Sequence, residues 1–353
     1  MLSLCNDVRG SHTLTMMIET RPLLLEVEDL TTHFYLDEGV VHALNGVSLR
    51  LFAGETLGIV GESGCGKSVL ARSIMRMVPA PGRIVGGRIR YHRIMGESRE
   101  SVDLTTLDPR GPEMRSIRGL EISMVFQEPL SSLSPVHTVG DQVAEAILLH
   151  RLISKDEAMV RAIEMLERVG MPEPARIVRR YPHQLSGGMC QRVMIAMALS
   201  SYPDLLIADE PTTALDVTTE AQILQLMRTL QHRYGMAIVF ITHNLGVIAQ
   251  MTKRVVVMYL GKVVEDAKVD DIFHNPLHPY TEALLKSVPR LGAKQRGRRL
   301  ASIKGMVPNA YAIPRGCPFH PRCAKMRPGV CDRVKPPWLA PEMGHWVRCV
   351  LYG

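Results

Sequence analysis

The residues best placed to do chemistry lie in one octet, Gly61-Glu62-Ser63-Gly64-Cys65-Gly66-Lys67-Ser68, which fits G-x4-G-K-[ST] at every position. Glycines at these spacings let successive backbone amides turn inward around a polyphosphate. The stretch that follows, from Val69, has a helical pattern, so the loop also gains the positive end of a helix. Lys67 is the type of side chain that reaches β and γ phosphates, and Ser68 the type that holds magnesium. The apolar run TLGIVG before the loop reads as a strand, which is the context this motif requires.

A second apolar run, LLIADE at 205–210, ends in two carboxylates. Asp209 is expected to organise the magnesium shell, and Glu210 to polarise a water attacking the γ phosphate in line. His243 follows the strand AIVFI and Gln127 closes the strand ISMVFQ. Both should lie at the carboxyl edge of the sheet, where open α/β folds bind nucleotides. Gln127 offers an amide to magnesium or water. Cys65, among so many backbone donors, is expected to favour its thiolate, so alkylation there should block nucleotide binding.

Four cysteines, Cys317, Cys323, Cys331 and Cys349, follow a C-x5-C-x7-C-x17-C spacing in a segment rich in Pro and Gly. The first residues lack the basic patch and apolar block of an export signal, so a disulfide framework is a poor default. Four thiols in a weakly apolar unit suit a tetrahedral sulfur site, either zinc or [4Fe–4S]. The spacing matches neither common template, and both metals stay open on the residues alone.

Positioning these groups requires a sizeable fold, and 353 residues supply one. The 46% hydrophobic content excludes a mainly disordered chain, and a net charge of +7 is too mild to select a partner. Residues 1–22 read as a flexible extension. LLLEVEDLTTHFY and VHALNGVSLRL alternate as strands and are expected to form an antiparallel edge on the main sheet. Residues 83–122 are weakly periodic, and GESRESVDLTTLDPRGPE reads as solvent-exposed loop. Two helices within 138–170 form an inserted helical layer, spanning roughly 128–188 up to LSGGM. Strands and helices then alternate to about 272, which indicates a mostly parallel sheet covered on both faces. The uncharged run 234–252 is interrupted by Thr242, His243 and Asn244, so it reads as strand, loop and helix rather than a membrane span. Residues 273–304 read as a short helix and a basic linker, and 305–353 as a small unit with little apolar core of its own.

LSGGM at 185–189, taken with Gln127, Asp209-Glu210, Ala214-Leu215-Asp216 and His243 in that order, resembles the signature set of ABC transporter ATPases. The HNPLHPYT run at 274–281 and the Cys-rich extension are similar to the oligopeptide/dipeptide/nickel importer subfamily. The resemblance implies an α/β fold: a RecA-like P-loop core with an antiparallel β edge, a helical signature subdomain and a small Cys-rich metal-cluster extension. It implies two ATPase domains sandwiching two ATP molecules head to tail, with magnesium. Ser186, Gly187 and Gly188 would contact the γ phosphate of the partner's nucleotide, and Asp216 would reach across the dimer. His243 would hold the attacking water's geometry, and Gln127 would relay the permease's state. Phe34 occupies the adenine-stacking position, with Tyr35 as a rival. The wider family commonly has Gln at the position of Met189, whereas Met is an ordinary occupant in this importer subfamily, and the donors that matter are Ser186 and the glycine amides. The resemblance also favours [4Fe–4S] in the extension.

The implied partners are a second, distinct ATPase subunit, two membrane permeases and, indirectly, an extracytoplasmic solute-binding protein. That places the chain at the cytoplasmic face of the membrane, as a motor for peptide import. A nickel or other small-solute importer is an alternative. A soluble ABC-type ATPase acting on ribosomes or nucleic acid is a different class. The single cassette, the short 128–184 insert and the lack of aromatics around Lys294–Lys304 argue against it.

Overall fold

A computed structural model describes residues 21–95, 98–213, 215–287 and 303–353. The expected N-terminal extension up to residue 20, most of the basic linker, and Ala214 lie outside the described residues.

The organising element is a sheet whose parallel part holds β3 (Thr56–Val60), β6 (Ile122–Val125), β7 (Leu205–Asp209), β8 (Ala237–Ile241) and β9 (Arg254–Tyr259). They run in the order β9-β3-β8-β7-β6, all parallel to their neighbours. These strands read as unbroken apolar runs because both of their faces are covered. Leu206, Ala208, Ile238, Phe240, Val255 and Val257 point into one core. Leu205, Ile207, Val239, Ile241 and Val256 point into the other.

The first core lies under helices. Val139–Leu148 and Lys155–Arg168 are the two helices expected in the insert. Thr138 and Ser154 cap them, each accepting a backbone N–H of the first turn. Their buried residues Val143, Ile147, Ala162 and Leu166 pack in the same core as the helix Gly187–Leu199. The region 234–252 is the end of a helix, then β8, a loop and the helix Leu245–Met251. Among the described residues no helix is long and apolar enough to cross a membrane.

The second core lies under a separate antiparallel sheet, which corrects two expectations. β1 (Leu23–Leu36) and β2 (Gly39–Phe52) do not extend the main sheet but join β4 (Gly82–Met95) and β5 (Ser98–Asp103) in a four-stranded one of order β2-β1-β4-β5. β1 is paired on both sides, by β2 and by β4 (Gly82–Met95), so no edge of it is left for the main sheet. The region 83–122 is accordingly not loop throughout: it contains most of β4, all of β5 (Ser98–Asp103) and a short helix, Pro112–Ile117. Its strands look polar because only alternate residues, such as Ile89 and Tyr91, face the core. The charged positions pair outside it, Arg93 with Glu121 at 2.8 Å and Arg90 with Glu26 at 3.1 Å. Such charged edges also discourage pairing with other chains.

The C-terminal extension is not a distinct metal-cluster unit. It adds β12 (His345–Val347) and β11 (Leu339–Glu342) to the main sheet through β10 (Lys262–Lys268). Phe319 is buried in the first core, its ring 5.2 Å from that of Tyr259 and 5.3 Å from that of Tyr280. Glu265 of β10 is fully buried, accepts the backbone N–H groups of Leu277 and His278, and lies 2.7 Å from His345 Nε2. Burial in the main fold thus supplies what the extension's own composition lacks.

Burial lowers the pKa of His278 from 6.5 to about 4, so its ring stays neutral in the folded chain. The unfolded chain binds the extra proton between these values, so stability should fall as pH drops from about 6.5 to about 4. Urea midpoints measured across this range should show that slope, and it should flatten in His278→Asn.

Candidate nucleotide-binding site

The carboxyl ends of β3, β6, β7 and β8 lie along one edge of the parallel sheet, and each of the expected core residues sits at one of these ends. The loop 61–66 leaves β3 and runs into the helix Lys67–Ile74. Gly64 and Gly66 have φ of 78° and 102°, which L side chains rarely adopt. A Cβ on Gly66 would also come within 2.5 Å of the Ala43 carbonyl oxygen. Lys67 Nζ donates to the carbonyls of Gly61 (2.8 Å) and Glu62 (3.1 Å), which hold the ammonium over the loop although its residue is only 5% exposed.

Ser68 and Asp209 come together across 141 positions of sequence: Ser68 Oγ donates to Asp209 Oδ1 at 3.1 Å. Burial raises the Asp209 pKa, and the Ser68 hydrogen bond opposes that rise. Glu210 adopts φ 47°, a left-handed conformation costing about 1–3 kcal/mol in a non-glycine residue. Its N–H bonds the Ile241 carbonyl, which fixes the strained turn against β8. Three side chains then converge on its carboxylate. Gln127 Nε2 donates to Oε2 at 3.2 Å, Thr213 Oγ1 donates to Oε2 at 2.9 Å, and His243 Nδ1 lies 3.2 Å from Oε1. Thr213 was not anticipated, because a hydroxyl in a polar turn carries no signal beyond its distance from Glu210.

Other expected residues sit apart from this group. Ser186 caps the helix Gly187–Leu199, its Oγ accepting from Met189 N at 3.3 Å, and both Ser186 and Gly187 are exposed. A side chain at Gly188 would meet the Thr219 methyl at 2.5 Å, so glycine is needed where these two helices touch. Asp216 caps the helix Val217–Tyr234, accepting from the N–H groups of Thr218 and Thr219 at 3.0 Å, and hydrogen bonding from Thr219 lowers its pKa. Phe34 is half-buried with its ring against Gly82, whereas Tyr35 is exposed with the Arg83 guanidinium 5.9 Å from its ring centroid.

Two sequence expectations are corrected at this point. Cys65 is buried, and desolvation raises its pKa despite nearby Lys67, so the neutral thiol is favoured rather than the thiolate. The zinc or [4Fe–4S] expectation at Cys317, Cys323, Cys331 and Cys349 is also overturned. Among the described residues no group of three or more His, Cys, Asp or Glu side chains is arranged to hold a metal ion. Burial pushes the Cys317 thiol up to about 11 and raises Cys323 and Cys349, while Cys331 Sγ accepts the Arg327 N–H at 3.3 Å. Of the two histidines in this extension, His345 Nε2 lies 2.7 Å from Glu265 and His320 Nδ1 2.9 Å from the Cys317 carbonyl oxygen.

Residues 44–213 match the family model for ABC transporters, and residues 264–331 match that for the oligopeptide/dipeptide transporter C-terminal region. A probable peptide ABC transporter ATP-binding protein of Sinorhizobium fredii is 49% identical over 340 residues, covering 95% of this chain and 97% of that one. The dipeptide transport ATP-binding protein DppD of Bacillus subtilis is 48% identical, over 93% and 94% of the two chains. The chain belongs to the peptide-import subfamily of ABC transporter ATP-binding proteins. Its fold agrees with this. The ATP-binding cassette MJ0796, in a dimeric post-hydrolysis state bound to ADP and Pi, superposes with a TM-score of 0.60 at 30% identity, covering 70% of this chain and 99% of that one. The chain is therefore an ATP-binding and ATP-hydrolysing subunit with a RecA-like P-loop core.

A buried neutral thiol reacts slowly with alkylating agents. Mass-spectrometric mapping of the native protein after iodoacetamide treatment should find Cys65 unmodified and ATP binding intact, with Cys65 adducts forming only after unfolding.

Proposed function

We propose that this subunit drives import of di- or oligopeptides, pairing with a second ATPase subunit beneath two membrane permeases at the cytoplasmic face. The observation that carries this reading is the division of the site within one chain. Lys67, Ser68, Asp209 and Glu210 form a phosphate-binding edge, while Ser186 and Gly187 stand exposed at the start of a different helix. Two such chains arranged head to tail would bring each edge opposite the other chain's helix start. The solute is chosen by an extracytoplasmic binding protein acting through the permeases.

In this reading the loop amides from Ser63 to Val69 cradle the ATP phosphates and Lys67 neutralises their β and γ oxygens. Ser68 and Asp209 present two hard oxygens 3.1 Å apart, a donor set suited to magnesium, with the Gln127 amide as a further contact. Held there, magnesium would supply neutralisation of the phosphate charge. Glu210 receives the proton of the attacking water, and His243 and Thr213 hold its carboxylate in place. Phe34 stacks on adenine, with Tyr35 as the other aromatic in reach of that role. Ser186, Gly187 and Gly188 complete the partner's site with the positive end of their helix, and Asp216 faces the partner.

Glu210→Gln keeps the shape and removes the base. It should lower ATP hydrolysis by about 10²-fold or more while ATP still binds. The measurement is steady-state hydrolysis beside equilibrium ATP binding, and hydrolysis near the wild-type rate would remove Glu210 from this role. Deleting the gene should abolish uptake of labelled dipeptides or longer peptides by whole cells. Loss of nickel uptake instead would assign the subunit to the nickel branch.

A further inference from the structure

Glu62, the second residue of the loop, is held from outside the nucleotide-binding edge at both its backbone and its side chain. Its N–H donates to Tyr280 Oη at 2.8 Å. Its carboxylate receives two hydrogen bonds from Arg322 of the C-terminal extension, Nη1 to Oε2 at 2.7 Å and Nη2 to Oε1 at 3.0 Å. The Arg322 side chain is only 4% exposed, and its Nε donates to the Lys304 carbonyl at 3.2 Å. Its guanidinium lies 5.9 Å from the Tyr259 ring centroid and 6.0 Å from that of Phe319. A planar fork packed beside two aromatic rings and bonded bidentately is held in its orientation in a way a lysine could not reproduce.

The position of Glu62 gives this pair a consequence. Its carbonyl oxygen accepts from Lys67 Nζ, so its backbone adjoins the ammonium that meets the phosphates. An uncompensated carboxylate beside that point would repel a polyphosphate anion, and partial burial would strengthen the repulsion.

We propose that Arg322 is a positioning residue for ATP: it cancels the charge of Glu62 at the mouth of the phosphate loop and fixes the loop's first turn through that carboxylate. The extension thereby forms part of the ATP site without touching the nucleotide. The proposal rests on the reading of Gly61–Ser68 as the phosphate site. It makes the two partners unequal, because the loss of Arg322 leaves a negative charge beside the phosphates, whereas the loss of Glu62 leaves a positive one.

The test is the Kd of magnesium–ATP for the full-length chain, measured by titration calorimetry on wild type, Arg322→Gln, Glu62→Gln and the double variant. Thermal melts report folding. Arg322→Gln should weaken ATP binding about tenfold, Glu62→Gln should tighten it about threefold, and the double variant should recover most of the loss. A purely structural brace would make both single variants bind more weakly with no recovery in the double, and that pattern would overturn the proposal. Unchanged binding in both single variants would overturn it as well. If Arg322→Gln does not fold, the Glu62→Gln titration decides alone: tightening supports the proposal and weakening ends it. A wild-type chain that binds no ATP would overturn the phosphate-site reading and this proposal together, whereas a failure of the variants alone leaves that reading standing.

Discussion

Covering a parallel sheet on both faces is the constraint from which the rest of this molecule follows. β3, β7 and β8 are buried at every position but Thr56, so they have no solvent-facing side on which polar chemistry could be displayed. Functional groups are displaced to the strand ends. The carboxyl ends then gather the phosphate loop, Gln127, Asp209, Glu210 and His243 without any of them interrupting the core. The same double burial explains the two unlike coverings. Helices occupy one face, and on the other a separate antiparallel sheet does the same work together with the helices Lys67–Ile74 and Pro112–Ile117.

The parts legible in the sequence were those where a local pattern and a chemical requirement coincide. The octet at 61–68 needs its glycines for backbone reasons that operate within a few residues. The alternation of buried strands and helices after Gly187 was equally direct. β4 and β5 were hidden because their outward positions carry charges such as Arg90, Arg93 and Glu100, whose partners lie on other strands or beyond. Thr213 and Tyr280 were hidden because a hydroxyl acquires its role only from what lies opposite. The clustered cysteines misled in a different way. Their residue type pointed to a metal, while in the folded chain burial favours the neutral thiol at Cys317, Cys323 and Cys349.

The extension illustrates why a segment with little core of its own need not be an independent unit. Its aromatic anchor Phe319 packs against Tyr259 at the end of β9 and Tyr280 of the helix Pro279–Ser287. Trp338 and Trp346 stack with ring centroids 6.2 Å apart, and the Arg348 guanidinium lies 5.3 Å from the Trp338 ring centroid. Each contact uses a flat side chain to cover area at low entropic cost, which suits a stretch rich in Pro and Gly.

Glu265 ties together three stretches of chain: its own strand, the turn at 277–278, and His345, 80 positions away. None of the three can be exchanged alone. Recombination that swapped the extension between two such ATPases would keep the sheet's backbone pairing, yet a mismatch at position 345 would deprive a fully buried carboxylate of a donor, costing about 1–3 kcal/mol. The extension and the cassette must therefore be matched at this position.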